Sequence, residues 1–530
     1  MRKQFRVAAA TSAAVLALAM TACGGGSGGS SESTGITVRG CTPENPLIPG
    51  NTTETCGGNM LEAITSQLIR YNTETSDPEM DIAESIETSD NMHFTVKLKQ
   101  GYKFHDGTEV KAENFVKAWN YTAAYANGQA GASFMSVFKG ADVIGAEGAT
   151  ATEMEGLKVV DDHTFTIETA TPVSNLPIRL GYTAFSPLPD SFFADPEAYG
   201  KMPVGSGPFK FVSGDNQQYV LEKFADYSGP EAAKVDSITF RVYTDSQAAY
   251  NDVVANQLDF TDEIPSSFLV NNQFQSQLGD RSMQRETLRY AGLVFSPNDP
   301  QLASNLKLRQ AISKSINRQL VTEQILNGAA KPAHGWAPKT VNGATDTACG
   351  EFCDYDPEAA KALYDESGGY SGTLTITVNG DASHKDWAEA VCNSIRGAIG
   401  LDCVVVATPN FAEYQKQIKN NELQGLLRQG WQGDYPSIEN FLTPMYRTGG
   451  ESNWARYSNP EFEALLTQAA AASTEEEANK LYGEAEAKLG ADLPTTPLWY
   501  PMTSVGWSNR LENVAINAFG ALDYSAVKVK

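Results

Sequence analysis

Met92-His93-Phe94-Thr95-Val96-Lys97-Leu98-Lys99-Gln100-Gly101 is the stretch on which the fold reading turns. Phe94, Val96 and Leu98 fall on one side, Thr95 and Lys97 on the other. That period of two predicts a strand with one buried face. Gly101 ends it, and Asp106-Gly107 supplies a turn. From Lys111 to Tyr125 the period changes: Phe115, Val116, Trp119 and Ala123 recur at helical spacing, which predicts a helix with Trp119 in the core. Strand, turn and helix in succession point to a mixed α/β chain.

The same alternation continues outward. His163-Thr164-Phe165-Thr166-Ile167-Glu168 reads as a strand, as do Leu374, Ile376 and Val378 before Gly380. Thr244 and Gln247 have capping-box spacing ahead of Ala249, Val253 and Val254. Leu306 to Ile316 reads as a helix with Ala311, Ile312, Ser315 and Ile316 on one side. Asn317 is placed to cap the next, which stops at Gly328. Asn459-Pro460-Glu461 is a cap followed by proline at the first helical position. Ser473-Thr474-Glu475-Glu476 opens a last helix, with Leu481, Ala485 and Leu489 expected inward. No repeat of 20–50 residues is present, which argues against solenoids and propellers.

Composition narrows the function. The 530 residues carry 40 Lys+Arg against 64 Asp+Glu, a net charge of −24. Such a balance argues against a nucleic-acid partner, because phosphate binding needs clustered cations. Five histidines make His-based metal or proton-transfer chemistry less favoured. No apolar run of about 18 residues follows the N-terminus, so a polytopic membrane protein is not expected.

The N-terminus reads as an address. Arg2, Lys3 and Arg6 precede a short apolar run, Val7 to Met20, suited to a signal peptide over 1–22. Met20-Thr21-Ala22-Cys23 resembles a bacterial lipobox, with Met20 where Leu is commoner and Cys23 as the lipidated residue. A plain secretory signal with a chance Cys is the alternative. Residues 23–35 are Gly/Ser-rich and read as a tether; eleven such residues reach roughly 18 Å. Gly25-Gly26-Ser27-Gly28-Gly29 matches a hydrolase pattern by letter only, because no strand precedes it and no helix follows. The expected location is the outer face of the bacterial cytoplasmic membrane, lipid-anchored.

Past Cys23 stand Cys41, Cys56, Cys349, Cys353, Cys392 and Cys403. An even count in an exported chain suggests disulfides, and six cysteines allow fifteen connectivities. Local pairs are expected: Cys41–Cys56, Cys349–Cys353 and Cys392–Cys403. A loop the size of the first contributes roughly 3 kcal/mol on the entropic account. A zinc site at Cys349/Cys353 is disfavoured, because no second Cys/His pair follows at finger spacing.

Few motifs carry chemistry. No H-E-x-x-H, Walker A or dinucleotide fingerprint occurs. Gly205-Ser206-Gly207-Pro208 lacks an N–H that a phosphate cradle would use, so it reads as structural. His105-Asp106 sits on a turn with no nucleophile motif elsewhere. The suggestive stretch is Leu426-Leu427-Arg428-Gln429-Gly430-Trp431-Gln432-Gly433-Asp434-Tyr435-Pro436. A strand end bearing Trp431 and Tyr435 around Asp434 offers rings and one fixed negative charge, suited to a cationic head such as an α-amino group. Equally open is that both rings are core and Asp434 caps a turn. Trp454, within Ser452-Asn453-Trp454-Ala455-Arg456-Tyr457, forms a second aromatic–polar cluster, readable also as a packed loop.

Several blocks resemble one family in order along the chain: Phe94 to Thr108, Pro203 to Phe209, Leu293 to Asn298 with Leu308 to Ile312, and Tyr457 to Phe462. Over residues 36–530 the chain resembles the family 5 extracellular solute-binding proteins of ABC importers, of oligopeptide- and dipeptide-binding type. The resemblance implies an α/β, two-lobed periplasmic-binding-protein-like (Venus flytrap) fold with an extra subdomain inserted in the first lobe. Lobe one would be 36–75, 203–293 and 505–530, the insert 76–202, and lobe two 294–504. In peptide-binding relatives a carboxylate at the position of Asp434 holds the ligand's α-amino group. The expected ligand-binding set is Asp434, Trp431, Gly430, Gln432, Tyr435, Trp454 and, on a looser match, Phe134 from the insert. Some relatives carry Cys where Gln432 stands. The implied protein is a monomeric, non-enzymatic receptor without metal or cofactor, passing peptides to an ABC permease. Oligosaccharide, metal chelate or another small solute is the alternative cargo; an exported hydrolase is the rival from another class.

Overall fold

A computed structural model describes residues 34–380 and 382–530. Cys23, the signal peptide and most of the tether lie outside these residues. Strands and helices interleave as a mixed α/β chain.

The strand Thr495–Trp507 organises the molecule. It runs through a 12-stranded sheet and belongs to both halves. Its first part pairs with Arg289–Phe295 and Ala330–Pro332, its second with Ser282–Glu286 and Phe260–Thr261. Beyond Phe260–Thr261 the sheet continues through Ile36–Gly40, Ser237–Val242, Gln218–Lys223 and Phe209–Gly214. Beyond Arg289–Phe295 it continues through Leu426–Gln432, Leu374–Asn379 and Cys403–Thr408. Leu374–Asn379 and Cys403–Thr408 are parallel, joined by the helix Lys385–Ile399, the crossover that parallel strands require.

The chain passes between the halves twice: along Thr495–Trp507, where pairing changes partners between Pro501 and Met502, and through Thr287 and Leu288, both 0% exposed. Each half has its own apolar core. One contains Leu288, Tyr290, Leu293, Trp336, Ile376 and Phe441; the other contains Ile36, Met60, Phe209, Phe240 and Val505.

A third core lies under a four-stranded antiparallel sheet, ordered Ala83–Thr88, His93–Leu98, Thr164–Glu168, Leu157–Asp161. Phe94, Val96 and Leu98 are buried, as their alternation predicts. The helix Ala112–Ala123 lies across this sheet. Its Trp119 is stacked 5.1 Å from Phe138 and edge-on to Phe165 at 5.6 Å, and its indole N–H donates to the Phe185 carbonyl at 3.0 Å.

Several details differ from the expectations. A division at 75/76 would split the hairpin of Ile69–Tyr71 with Pro78–Met80. One at 293/294 would cut Arg289–Phe295, whose Tyr290, Leu293 and Phe295 share one core. Asp245, not Thr244, caps the helix Ser246–Val254, its carboxylate accepting from the Gln247 N–H at 2.9 Å. In the helix Glu475–Asp492 the buried row is Ala478, Tyr482, Ala485, Glu486 and Leu489, with Leu481 only half-buried.

The glycine turn at 205–207 has a steric cause. A Cβ on Gly205 would stand 1.8 Å from the Ile64 carbonyl oxygen. His105 pins the turn: Nδ1 accepts the Gly205 N–H at 3.2 Å and Nε2 lies 3.1 Å from the Gly207 oxygen. Burial pushes this imidazole down to about 4, the neutral form that accepting at Nδ1 needs. Disulfides join Cys41 to Cys56, Cys349 to Cys353 and Cys392 to Cys403.

Candidate functional site

The strand Leu426–Gln432 ends in a turn that leads into the helix Glu439–Tyr446. Asn440 on that helix fastens the turn. Its Oδ1 accepts from the Trp431 indole at 3.2 Å and from the Asp434 N–H at 2.9 Å, and its Nδ2 donates to Asp434 Oδ2 at 3.1 Å. Gly433 is needed there, since a Cβ would meet the Phe441 ring at 2.9 Å. No hydrogen bond among the described residues reaches Asp434 Oδ1.

Asp434 lines two cavities at once. The first, about 380 Å³, is also lined by Glu62, Tyr71, Tyr182, Gln432, Phe519 and Asp523. The second, about 420 Å³, is lined by Phe134, Arg179, Trp431, Tyr435, Arg447 and Glu451. Three of the cores therefore contribute walls to a cleft centred on one carboxylate. Burial pushes Asp434 up to about 6, Glu451 adding to the rise and the Asn440 hydrogen bond opposing it. The more distant Arg179 charge also lowers it, but among the described residues no ion pair reaches Asp434. Across the first cavity, burial and then the Asp523 charge push Glu62 up to about 7, against the Asn517 hydrogen bond. Asp81, which also lines this cavity, rises to about 6 through burial. Arg70, a cation on the same lining, is engaged by Glu79 and Glu231.

Five residues after Asp434 the chemistry reverses. Glu439 is 4% exposed and pairs with Arg179 at 2.8 Å. It also accepts from the Tyr435 hydroxyl at 2.8 Å and the Asn175 amide at 3.1 Å. Arg179 lies over the Tyr435 ring at 5.1 Å. Burial raises the Glu439 carboxyl, but the Arg179 charge and the hydrogen bonds outweigh it, so the group is held below its ordinary value.

The cleft thus gathers Asp434, Trp431, Gln432, Tyr435 and Phe134. Of these, Tyr435 is buried and occupied with Glu439, so it walls the cavity more than it offers a free hydroxyl. Phe134 lies tilted against Tyr182, with centroids 4.6 Å apart. Two expected residues stand elsewhere. Trp454 packs half-buried at 6.1 Å from Tyr414 and lines neither cavity. Gly430 sits within the strand and lines neither. Missed from sequence were Tyr71, Tyr182, Phe519, Glu62 and Asp523. None belongs to a motif; they meet only because three distant segments converge. Among the described residues no group of three or more His, Cys, Asp or Glu is arranged to hold a metal ion, and no helix is long and apolar enough to cross a membrane.

The family model described as bacterial extracellular solute-binding proteins, family 5 Middle, matches residues 77–453. The oligopeptide-binding protein OppA of Bacillus subtilis (strain 168) is 24% identical over 508 residues, 92% of each chain. Heme-binding protein A of Haemophilus influenzae is 25% identical over 489 residues, 88% of this chain and 87% of that one. In fold, the chain resembles the periplasmic murein tripeptide binding protein MppA in its unliganded open form, with a TM-score of 0.83 and 21% identity over 94% of this chain and 98% of that one. Two-lobed binding proteins of this kind share the architecture described above, and the family match spans most of the chain. The chain belongs to the bacterial extracellular solute-binding proteins of family 5.

Proposed function

We propose that this protein is a peptide receptor of an ABC importer, with Asp434 anchoring the ligand's α-amino group. One observation carries the reading. Asp434 is a half-buried carboxylate with no ion pair among the described residues, placed where two cavities meet and walled by aromatic rings. A primary ammonium supplies the missing charge through a charge-assisted hydrogen bond. Trp431, Gln432, Tyr182 and Phe134 give the peptide apolar and amide surface on either side. The relative from B. subtilis is by name an oligopeptide-binding protein, which supports the same cargo class.

The partition that the cores support is lobe one about 36–64, 205–286 and 502–530, the insert about 66–204, and lobe two about 288–500. Ligand touching both lobes would favour their closed arrangement. Signal cleavage and lipidation at Cys23 would hold the receptor beside its permease; intact mass of the mature protein tests that. No bond is made or broken in this reading.

Calorimetry tests the anchor. Asp434→Ala should weaken binding of a good peptide about 10- to 100-fold, the worth of one charge-assisted hydrogen bond. Unchanged affinity would refute the anchor. Native mass spectrometry of the purified protein tests the cargo class. A retained non-peptide solute, such as the tetrapyrrole named for the Haemophilus relative, would replace the peptide reading.

A further inference from the structure

Among the described residues, six carboxylates and one guanidinium line the 380 Å³ cavity: Glu54, Glu62, Asp81, Glu231, Asp434 and Asp523 against Arg70. Four of the six are committed. Glu54 caps the helix Thr55–Ile64, accepting from the Gly57 N–H at 2.8 Å. Asp81 accepts from the Tyr102 hydroxyl at 2.9 Å, and Glu231 pairs with Arg70. Asp523 accepts from the Ser525 N–H at 2.9 Å and from the Thr73 hydroxyl at 2.8 Å. The other two are alike. Glu62 has one amide partner, Asn517, as Asp434 has Asn440. Among the described residues no ion pair reaches either, and the charge acting on Glu62 is the like charge of Asp523.

A buried hydroxyl beside Glu62 points to a guest. Tyr524 is 8% exposed and lines the same cavity. Its ring packs edge-on against Phe240 at 5.9 Å and Phe209 at 6.5 Å, so the little that stays open faces the cavity. Among the described residues its hydroxyl makes no hydrogen bond, although the Glu62 charge acts on it. A desolvated hydroxyl and a desolvated carboxylate side by side, neither satisfied, are costly until a donor fills the space. An ammonium or guanidinium donates to both.

Resting on the peptide reading above, we infer that Glu62 and Tyr524 receive a second cation of the ligand, a Lys or Arg side chain near the amino end held at Asp434. The wall between suits such a ligand. The charges of Glu62 and Asp434 both act on the Tyr71 phenol, which puts the two carboxylates within reach of one small molecule. Tyr71 and Phe519, with centroids 5.8 Å apart, also line the cavity. An apolar stem can lie along these rings while its charged head stays at Glu62. A ligand with a single cation leaves one of the two carboxylates without a partner.

The test is calorimetry at pH 8, where Glu62 is ionised. One probe is a mixed-sequence tripeptide pool lacking Asp and Glu, with a free amino end and Lys at the first or second position. The second is the same pool made with Nε-acetyl-lysine, which keeps the stem and removes the charge. The wild type should bind the Lys pool about tenfold or more tightly than the acetylated pool. Glu62→Gln should bring the Lys pool down to the level of the acetylated one. Equal binding of the two pools by the wild type overturns the inference while leaving the peptide reading intact, and this comparison needs no variant to fold. A preference that survives Glu62→Gln belongs to the general negative field of the chain and overturns it too. Cadaverine, two ammonium groups on one apolar stem, is the third probe. Binding tighter than that of the Lys pool, lost in Glu62→Gln, supports the paired carboxylates and replaces the peptide with a free diamine. A wild type that binds none of the three sinks the peptide reading and this inference together.

Discussion

Two carboxylates on one short segment are built in opposite ways. Glu439, at the start of a helix, is buried and saturated by Arg179, Asn175 and Tyr435. Asp434, in the turn before it, has one amide partner and looks into two cavities. Both are burdened by desolvation and both feel the Arg179 charge, but among the described residues only Glu439 pairs with it directly, and its carboxyl falls while that of Asp434 rises. A charge whose partner is already present holds structure; one whose partner is missing is available to a ligand.

Four measurements probe the difference between the two carboxylates. The largest effect should come from Glu439→Ala, which strands Arg179 without its counter-ion. Urea unfolding should show a loss of about 3–5 kcal/mol, and a loss near zero would mean that the pair is not structural. The ligand-side partner of the contrast is Asp434→Ala, which should not lower thermal stability at pH 8, because it removes a charge that the fold disfavours. A clear drop in Tm would make Asp434 a structural residue.

A smaller effect should appear with pH. Asp434 must be ionised to hold an ammonium, and its pKa is raised to about 6. Protons therefore compete as pH falls through that value. Peptide affinity should be about tenfold weaker at pH 5 than at pH 7, read by calorimetry; a flat profile would sever Asp434 from binding. The smallest should come from Glu62, raised from 4.5 to about 7. Such a group contributes stability that is present below its unfolded pKa and lost as pH rises through the folded one. Glu62→Gln should raise Tm by about 1–2 °C above pH 7 and leave it unchanged below pH 4.5.

Much of the fold was legible because its causes are local. The alternation of Phe94, Val96 and Leu98 needs only one apolar face. Asn317 and Asn459 cap helices where expected, and Thr474 caps the helix that Ser473 to Glu476 is expected to open, each side chain accepting from N–H groups of the first turn. The Thr244 reading slipped by one residue because Asp245 carries a carboxylate able to reach the same Gln247 N–H. Leu481 was placed inward on hydrophobicity alone, whereas Tyr482 and Glu486 occupy that row. Glu486 accepts from the Trp336 N–H at 2.7 Å, a partner 150 residues away that no local pattern reveals.

Taken by itself, the chain of letters determined the strand and helix types, the family and the loop that carries Asp434. Each follows from short-range rules: periodicity, capping and a motif on one segment. The rest was decided by tertiary structure. Packing put Tyr182, Phe134, Glu62, Phe519 and Gln432, from segments far apart in sequence, around one carboxylate. It packed Trp454 away from both cavities and gave Glu439, not Asp434, the cation. Burial and counter-ions depend on which distant segments meet, and that is a property of the folded chain rather than of any stretch of it.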